Sequence, residues 1–301
     1  MSAYTEQAIT FDCQGSTLLG IVATPARGRV QADTAVLVVV GGPQYRAGSH
    51  RQFVQLARAL AESGFVAMRF DVRGMGDSQG QPAGFEGVSD DIAAAIGALQ
   101  AQAPQARRVA LFGLCDGASA ALLYLHDTHD RRVHGVCLLN PWVRTEETLA
   151  RTHVRHYYLK RLASGEFWHK LLAGGVGKRA LAEFVGAVRR SRQPAEPAPL
   201  DTTMKRNAHF RDAMRSGCAA FGGPLLIALS GNDLTAQEFA DSVAADSTWR
   251  PLISRGSTQT LPLPGADHTL SNPAAQRTFE AAMIRWLRAT ESPPAMAISH
   301  P

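Results

Sequence analysis

The stretch at residues 109–120 constrains the fold of this chain more than any other. It opens with four apolar residues that are typical of a short buried strand, continues through the corner Gly-Leu-Cys115-Asp-Gly, and ends in residues with helical character. Cys115 therefore stands at the tip of a predicted strand–turn–helix unit. We expect the fold to hold this thiol on a tight turn.

Two glycines flank that cysteine at positions suited to such a turn. Gly113 lies two residues before Cys115, and Gly117 lies two residues after it. In a strand–turn–helix elbow the reactive side chain occupies a strained backbone position, and small residues at these two places let helix and strand approach closely. The N-terminus of the following helix also points at the side chain, and its dipole favours a thiolate and a developing oxyanion.

Strands and helices alternate on both sides of this elbow. A hairpin is predicted first, and buried apolar strands separated by helices follow it. This alternation is typical of an α/β fold with a mostly parallel central sheet and helices on both faces. The predicted strands are residues 6–13, 17–24, 35–40, 65–70, 109–112, 133–139, 224–230 and 257–263, and the predicted helices are residues 51–63, 85–103, 118–126, 236–245 and 273–289.

The alternation breaks at residues 143–222, where helical patterns and a proline-rich linker replace it. We therefore predict a core from residues 1–142 and 223–291, an inserted helical cap at residues 143–222, and a flexible tail at residues 292–301. The cap segment carries 15 Lys and Arg against 7 Asp and Glu, whereas the whole chain of 301 residues has a net charge of +5. This charge indicates an anionic substrate, peripheral contact with acidic lipid headgroups or a partner, or else a solvated helical surface.

The composition argues against several other classes of protein. No run of 18 apolar residues predicts a membrane span, and the first 14 residues lack a signal-peptide pattern, so we expect a cytoplasmic protein. The four cysteines are scattered without metal-site spacing, which predicts free thiols, no metal and no cofactor. The expected partner is a small-molecule substrate rather than nucleic acid, and no oligomeric state is predicted.

Candidate catalytic residues follow predicted strands and should meet at one edge of the sheet. Cys115, Asp233 and His268 each come directly after a strand, as do residues 41–45, and ligands bind at the carboxyl ends of strands in such sheets. A thiol nucleophile needs a base to take its proton and an acid to orient that base. We assign these roles to His268 and Asp233, with Asp267 as the alternative acid.

With these loops in place, the sequence resembles the α/β-hydrolases over essentially its whole length. The elbow is one match, and the others are the loop after the fourth strand and the acid and histidine loops, at residues 71–78, 230–233 and 265–268. The chain order of nucleophile, acid and histidine is also that of this family. The resemblance implies an α/β-hydrolase fold and acyl hydrolysis through the three residues assigned above.

Three further stretches resemble the exosortase-system-associated hydrolases more narrowly. They are residues 40–46, which read Val-Gly-Gly-Pro-Gln-Tyr-Arg, residues 48–53, and residues 151–158 in the predicted cap. These bacterial proteins are linked to exopolysaccharide production and protein sorting. The resemblance implies a biological setting and does not identify a substrate.

The sequence departs from the general family pattern at the nucleophile and at the first oxyanion loop. Cysteine replaces the usual serine, as in dienelactone hydrolases and polyhydroxyalkanoate synthases, and the loop lacks the common His-Gly opening. The backbone N–H of Asp116 is the expected first oxyanion donor, because it follows the nucleophile. Pro43 has no N–H to give, so Gln44 or Tyr45 is the expected second donor.

A cysteine nucleophile suits thioesters and enol lactones at least as well as plain esters. The predicted function is therefore an esterase or thioesterase that works through an acyl-enzyme. An acyltransferase with the same triad and a non-catalytic binding or scaffold protein that retains the fold are the alternatives. The candidate pocket residues are His50, His153, His156 and Tyr157. Capping or a surface position is the alternative for His50, and a helix packing face is the alternative for the other three.

Overall fold

The computed structural model describes residues 3–27, 31–41, 44–143 and 202–291, and within the last range it describes side chains from residue 209 onward. Eight strands form one sheet in the order β1-β2-β4-β3-β5-β6-β7-β8. These strands are β1 (Tyr4–Cys13), β2 (Ser16–Pro25), β3 (Thr34–Val39), β4 (Ala67–Phe70), β5 (Arg108–Leu114), β6 (Val133–Leu139), β7 (Leu225–Ser230) and β8 (Thr258–Leu263).

The sheet is parallel from β4 to β8 and antiparallel at one edge. β1 pairs with β2 and β2 pairs with β4 in antiparallel fashion, whereas the five remaining pairs are parallel. Every residue of β3 is buried, and its side chains alternate between the two layers that cover the sheet. This explains why the sequence of β3 is a continuous apolar run instead of an alternating one.

Helices cover both faces of the sheet. The α-helices are α1 (Gln52–Glu62), α2 (Ser89–Gln102), α3 (Asp116–Thr128), α4 (Thr202–Ala220), α5 (Leu234–Ala245), α6 (Arg250–Ile253) and α7 (Pro273–Glu291). One core layer includes Ile92 of α2, Leu122 of α3 and Phe239 of α5. The opposite layer includes Phe53 of α1 and Phe279 of α7. The predicted α/β architecture is thus confirmed.

The structure differs from the sequence-based expectations in one predicted helix and in one helix that was not predicted. The helix predicted at residues 85–103 is a 3₁₀ turn, Phe85–Gly87, followed by α2, because Val88 between them has the non-helical angles φ −100° and ψ 12°. The four-residue helix α6 was not predicted, since so short a segment carries no apolar periodicity that sequence could reveal.

Most of the predicted cap segment, residues 144–201, lies outside the described residues, as does the predicted tail at residues 292–301. The end of the cap segment forms α4, which packs Phe210, Met214 and Cys218 into the core layer that contains α3. The domain boundaries remain a prediction. Within the described ranges, no helix is long and apolar enough to cross a membrane.

The strand order places the loops that carry the candidate site at one edge. β3 lies between β4 and β5, so the chain changes direction across the sheet at this point. In open α/β sheets such a reversal leaves a crevice at the carboxyl ends of the strands. The turn after β5 opens into this crevice, and the loops after β3, β7 and β8 end at the same edge.

Candidate active site

Cys115 occupies the turn between β5 and α3 in a strained backbone conformation. Its angles are φ 59° and ψ −123°, a combination that residues other than glycine rarely adopt. The backbone around it is tightly bonded: its N–H donates to the carbonyl of Leu139 at 2.9 Å, and its carbonyl accepts from Ala118 and Ser119 in the first turn of α3. A conformation that costs about 1–3 kcal/mol persists only where surrounding contacts determine it.

The predicted role of Gly113 in this turn has a clear physical basis. A Cβ on Gly113 would lie 2.3 Å from the carbonyl oxygen of Gly117 and 2.5 Å from the amide nitrogen of Ala118. Both contacts are with backbone, which cannot move aside without displacing α3. The absence of a side chain at Gly113 therefore lets α3 start directly beside β5.

Asp233 lies at the junction of β7 and α5, and its carboxylate accepts hydrogen bonds from the start of α5 and from His268. Its carboxylate caps α5 by accepting from the amides of Thr235 at 3.1 Å and Ala236 at 3.2 Å. Its Oδ2 also accepts a hydrogen bond from Nδ1 of His268 at 2.8 Å. The Asp233 side chain is 7% exposed, whereas that of His268 is 34% exposed. A carboxylate fixed by its own helix thus holds one face of a more accessible imidazole.

The surroundings of His268 favour its protonated form. The hydrogen bond to Asp233 is the largest cause and the hydrogen bond to Cys115 the second, and together they raise the pKa of His268 to about 10 despite partial burial of the ring. These contacts favour the imidazolium over the neutral ring. The structure thus brings together the three side chains that the sequence singled out.

Asp267, the alternative acid, points away from this cluster. Its carboxylate accepts from the backbone N–H of Ser271 at 2.8 Å and also from the Ser271 hydroxyl. These hydrogen bonds lower the pKa of Asp267. The geometry leaves Asp233 as the carboxylate bonded to the His268 ring.

The loop after β3 lies against the elbow. A Cβ on Gly41 would come within 2.2 Å of the amide nitrogen of Gly117, so the loop and the start of α3 are in direct backbone contact. Arg46 fixes the far end of this loop: its amide donates to Oδ1 of the fully buried Asp71 at 2.7 Å, and its guanidinium pairs with both Asp71 and Asp77. The sequence did not identify this ion-pair cluster.

The structure gives side-chain contacts for the candidate oxyanion residues Gln44 and Tyr45. Gln44 donates from Nε2 to Ser49 Oγ at 3.4 Å, and Tyr45 is 51% exposed with the Arg46 guanidinium over its ring. Asp116 is the first residue of α3, directly after Cys115. The assignment of oxyanion donors among Asp116, Gln44 and Tyr45 remains a prediction.

His50 contacts the histidine loop. Its Nε2 lies 3.0 Å from the carbonyl oxygen of Thr269, the residue after His268, and its backbone has a φ of 41°. His153, His156 and Tyr157 lie outside the described residues. Across the part of the chain that the structure describes, no group of three or more His, Cys, Asp or Glu side chains could hold a metal ion.

The fold and the position of this cluster define an α/β-hydrolase. A family model described as serine aminopeptidase, S33, matches residues 31–284, and the chain belongs to this family. This match confirms the predicted hydrolase class. The family is described as serine-type, whereas the elbow residue here is Cys115. Comparison with curated proteins gave no match.

Solved structures with similar folds include three hydrolases. The esterase Pf2001 of Pyrococcus furiosus has a TM-score of 0.62 at 13% identity, over 95% of this chain and 93% of that one. Est1E of Butyrivibrio proteoclasticus, solved with ferulic acid, has a TM-score of 0.60 at 14% identity, over 94% and 99%. A dienelactone hydrolase from Anabaena variabilis has a TM-score of 0.58 at 15% identity, over 95% and 98%. At these identities the similarity shows a shared fold alone.

Gly113→Ala should destabilise the protein by about 3 kcal/mol, because the new Cβ collides with the backbone of α3. Gly97→Ala is the matched control. Gly97 is exposed within α2, and a Cβ there would lie 4.0 Å from its nearest neighbour, a guanidinium nitrogen of Arg132, so alanine should add about 0.5–1 kcal/mol of stability. Urea unfolding of both variants measures the difference. Equal stabilities for the two variants would contradict the tight packing at the elbow.

Asp233→Asn should remove stability in a pH-dependent manner. Because the pKa of His268 is raised from 6.5 to about 10 in the folded protein, its charged form stabilises the fold fully below pH 6.5, and this contribution is lost as the pH rises toward 10. Asparagine retains the helix cap. The difference in unfolding free energy between wild type and variant should therefore be largest near pH 6 and shrink toward pH 10 in urea titrations.

Asp267→Asn provides the control for this experiment, because its carboxylate bonds Ser271 and not the His268 ring. Its difference from wild type should change much less between pH 6 and pH 10 than that of Asp233→Asn. If the difference in unfolding free energy for Asp233→Asn changes as little with pH as that for Asp267→Asn, the charged interaction between Asp233 and His268 is contradicted.

Proposed function

We propose that this chain is a cysteine-dependent hydrolase of acyl esters or thioesters, with Cys115 as nucleophile, His268 as acid–base group and Asp233 as the acid that orients it. The observation that carries this proposal is the 2.8 Å hydrogen bond between His268 and Asp233, on a ring whose pKa is also raised by Cys115 at the strained turn. Nucleophile, base and orienting acid form such a chain in triad enzymes on unrelated folds. Membership in a hydrolase family supports the same reaction class.

Acylation begins when Cys115 transfers its proton to His268, which forms a thiolate–imidazolium pair. Nδ1 of His268 is engaged by Asp233, so we assign the other ring nitrogen, Nε2, to proton exchange with the Cys115 sulfur. The sulfur attacks the acyl carbon, a carbon–sulfur bond forms, and the carbonyl electron pair moves onto oxygen. When the tetrahedral intermediate collapses, Nε2 gives its proton to the departing alcohol or thiol. The product on the enzyme is a thioester.

The developing oxyanion lies near the N-terminus of α3 in this scheme. That helix of 13 residues begins at Asp116, so its positive end faces the reacting carbonyl. We assign the N–H of Asp116 as one donor and the N–H of Gln44 or Tyr45 as the second. Removing a single donor of this type costs about 3 kcal/mol of transition-state stabilisation in enzymes where it has been measured.

Deacylation completes the cycle with balanced proton transfer. The now neutral His268 accepts a proton from water through Nε2, the oxygen of that water attacks the thioester carbon, and the Cys115 thiolate leaves. The imidazolium–thiolate pair is then restored. A thioester is a more reactive acyl donor than an oxygen ester, so an alcohol or amine that enters the site could replace water. Acyl transfer by the same triad is therefore the second candidate function.

The setting and the substrate charge are proposed from the sequence. The resemblance of residues 40–46 to exosortase-system-associated hydrolases supports a role in cytoplasmic steps of exopolysaccharide or sorting systems. The basic residues of the segment 143–222 support an anionic acyl substrate or contact with acidic lipid headgroups.

Cys115→Ala should lower kcat by at least about 10³-fold toward a series of acyl p-nitrophenyl esters and acyl thioesters, since the variant cannot form the thioester intermediate. Cys218→Ala, which removes a buried thiol away from the turn, should keep the wild-type rate. Mass spectrometry of the quenched reaction should find the acyl group on Cys115 in the wild type.

Full turnover in Cys115→Ala would overturn the nucleophile assignment and favour the binding-protein alternative. Hydrolysis and transfer are separated by adding an alcohol or amine acceptor. A constant rate of thioester consumption with acylated acceptor as the main product would identify the transferase.

A further inference from the structure

Asn140 lies at the exit of β6 in a position that no sequence pattern connected with the site. It is fully buried and has a φ of 49°, in the left-handed region. Asparagine tolerates this conformation better than most residues, because its short polar side chain can bond locally. A buried polar side chain on a strained backbone persists where its hydrogen bonds are satisfied.

The amide of Asn140 bonds both loops that carry the acid and the histidine. Its Nδ2 donates to the backbone carbonyl of His268 at 2.9 Å and to the hydroxyl of Ser230 at 3.0 Å. Its Oδ1 accepts from the backbone N–H of Ser230 at 2.8 Å. Ser230 ends β7, three residues before Asp233. One side chain thus joins the end of β6 to the loop of the acid and to His268 itself.

Two residues close to Asn140 in the chain, Leu139 and Trp142, form hydrogen bonds with the backbone of Cys115. The carbonyl of Leu139 accepts from the N–H of Cys115 at 2.9 Å, and the N–H of Trp142 donates to the carbonyl of Cys115 at 3.2 Å. The hydroxyl of Ser119 in α3 donates to the carbonyl of Trp142 at 2.7 Å. Leu139 and Trp142 therefore bond the backbone N–H and carbonyl of Cys115, while Asn140 between them bonds His268.

We infer that Asn140 is a positioning residue for the reaction, which holds the His268 backbone at a fixed distance from Cys115 through the Nδ2-to-carbonyl hydrogen bond. This inference rests on the proposed function, because it concerns the same three side chains. The proposed role is positional because the Asn140 amide bonds the backbone carbonyl of His268 and leaves the ring to Asp233 and Cys115. Small displacements of catalytic groups are costly, since an error of about 1 Å can lower a rate by about 10²-fold.

Asn140→Gly is the first test variant, because glycine keeps the left-handed backbone and removes the amide. Asn140→Asp is the second, because it keeps the shape and the acceptor for Ser230 but replaces the donor to the His268 carbonyl. We expect both variants to lower kcat by about 10- to 100-fold with an unchanged KM, on an acyl thioester that the wild type hydrolyses. NMR titration of the His268 ring should show its pKa moving down toward the ordinary value in Asn140→Gly.

Two further variants separate position from stability. Tyr124→Phe removes a different buried hydrogen bond, to Asp130, near the opposite end of α3, and should lower Tm while kcat and the His268 titration stay at wild-type values. Ser230→Ala removes one partner of Asn140 but leaves the bond to the His268 carbonyl, so its loss of kcat should be smaller than that of Asn140→Gly.

Asn140 variants that lose Tm as Tyr124→Phe does, yet keep the wild-type kcat and the wild-type His268 titration, would overturn the inference. The proposed function is judged separately by Cys115→Ala. If that variant retains turnover, the triad assignment fails, and the NMR titration of His268 still tests Asn140 because it needs no substrate.

Discussion

The close approach of α3 to β5 determines the geometry of everything else at this site. It is possible because Gly113 has no side chain where the backbone of Gly117 and Ala118 passes. The short connection that results forces Cys115 into a positive φ and points its side chain out of the turn, at the beginning of a helix. A longer connection would relieve the strain, but it would also separate the thiol from the helix terminus and from the loops that follow β7 and β8.

The electrostatic surroundings of Cys115 distinguish it from the other three cysteines. Of the four cysteines in the chain, Cys13, Cys137 and Cys218 are buried, and burial raises the pKa of Cys13 to about 12 and that of Cys218 to about 11. Cys115 is only partly buried, and it is one of the groups that raise the pKa of the neighbouring His268. A serine hydroxyl in this place would depend on His268 as a neutral base. A thiol can instead transfer its proton before substrate arrives, which suits a site where Asp233 stabilises the imidazolium.

The elements that could be predicted are those whose sequence pattern lies within a short stretch of the chain. The apolar run of β3, the glycines around Cys115 and the order of the strands are properties of short windows, and parallel strands bring their carboxyl ends to one edge. Cys115, Asp233 and His268 could therefore be placed together before their distances were known. The choice of Asp233 over Asp267 was only a preference in the sequence, because the direction of a loop carboxylate depends on its neighbours, here Ser271.

Asn140 and the Arg46–Asp71 pair were missed for the same physical reason. Asn140 is 128 positions from His268, and Arg46 is 25 positions from Asp71, so these contacts exist only in the folded chain.

The coupling between Cys115 and His268 is tested most directly by the rate at which iodoacetamide alkylates each cysteine between pH 5 and pH 9. Mass spectrometry measures this rate in the wild type and in His268→Ala. We expect Cys115 to be the cysteine that reacts in the wild type, with the three buried cysteines unreactive, and His268→Ala to slow its alkylation at pH 6 by at least about tenfold. An alkylation rate of Cys115 that is the same in wild type and His268→Ala across this pH range would contradict the coupling between Cys115 and His268.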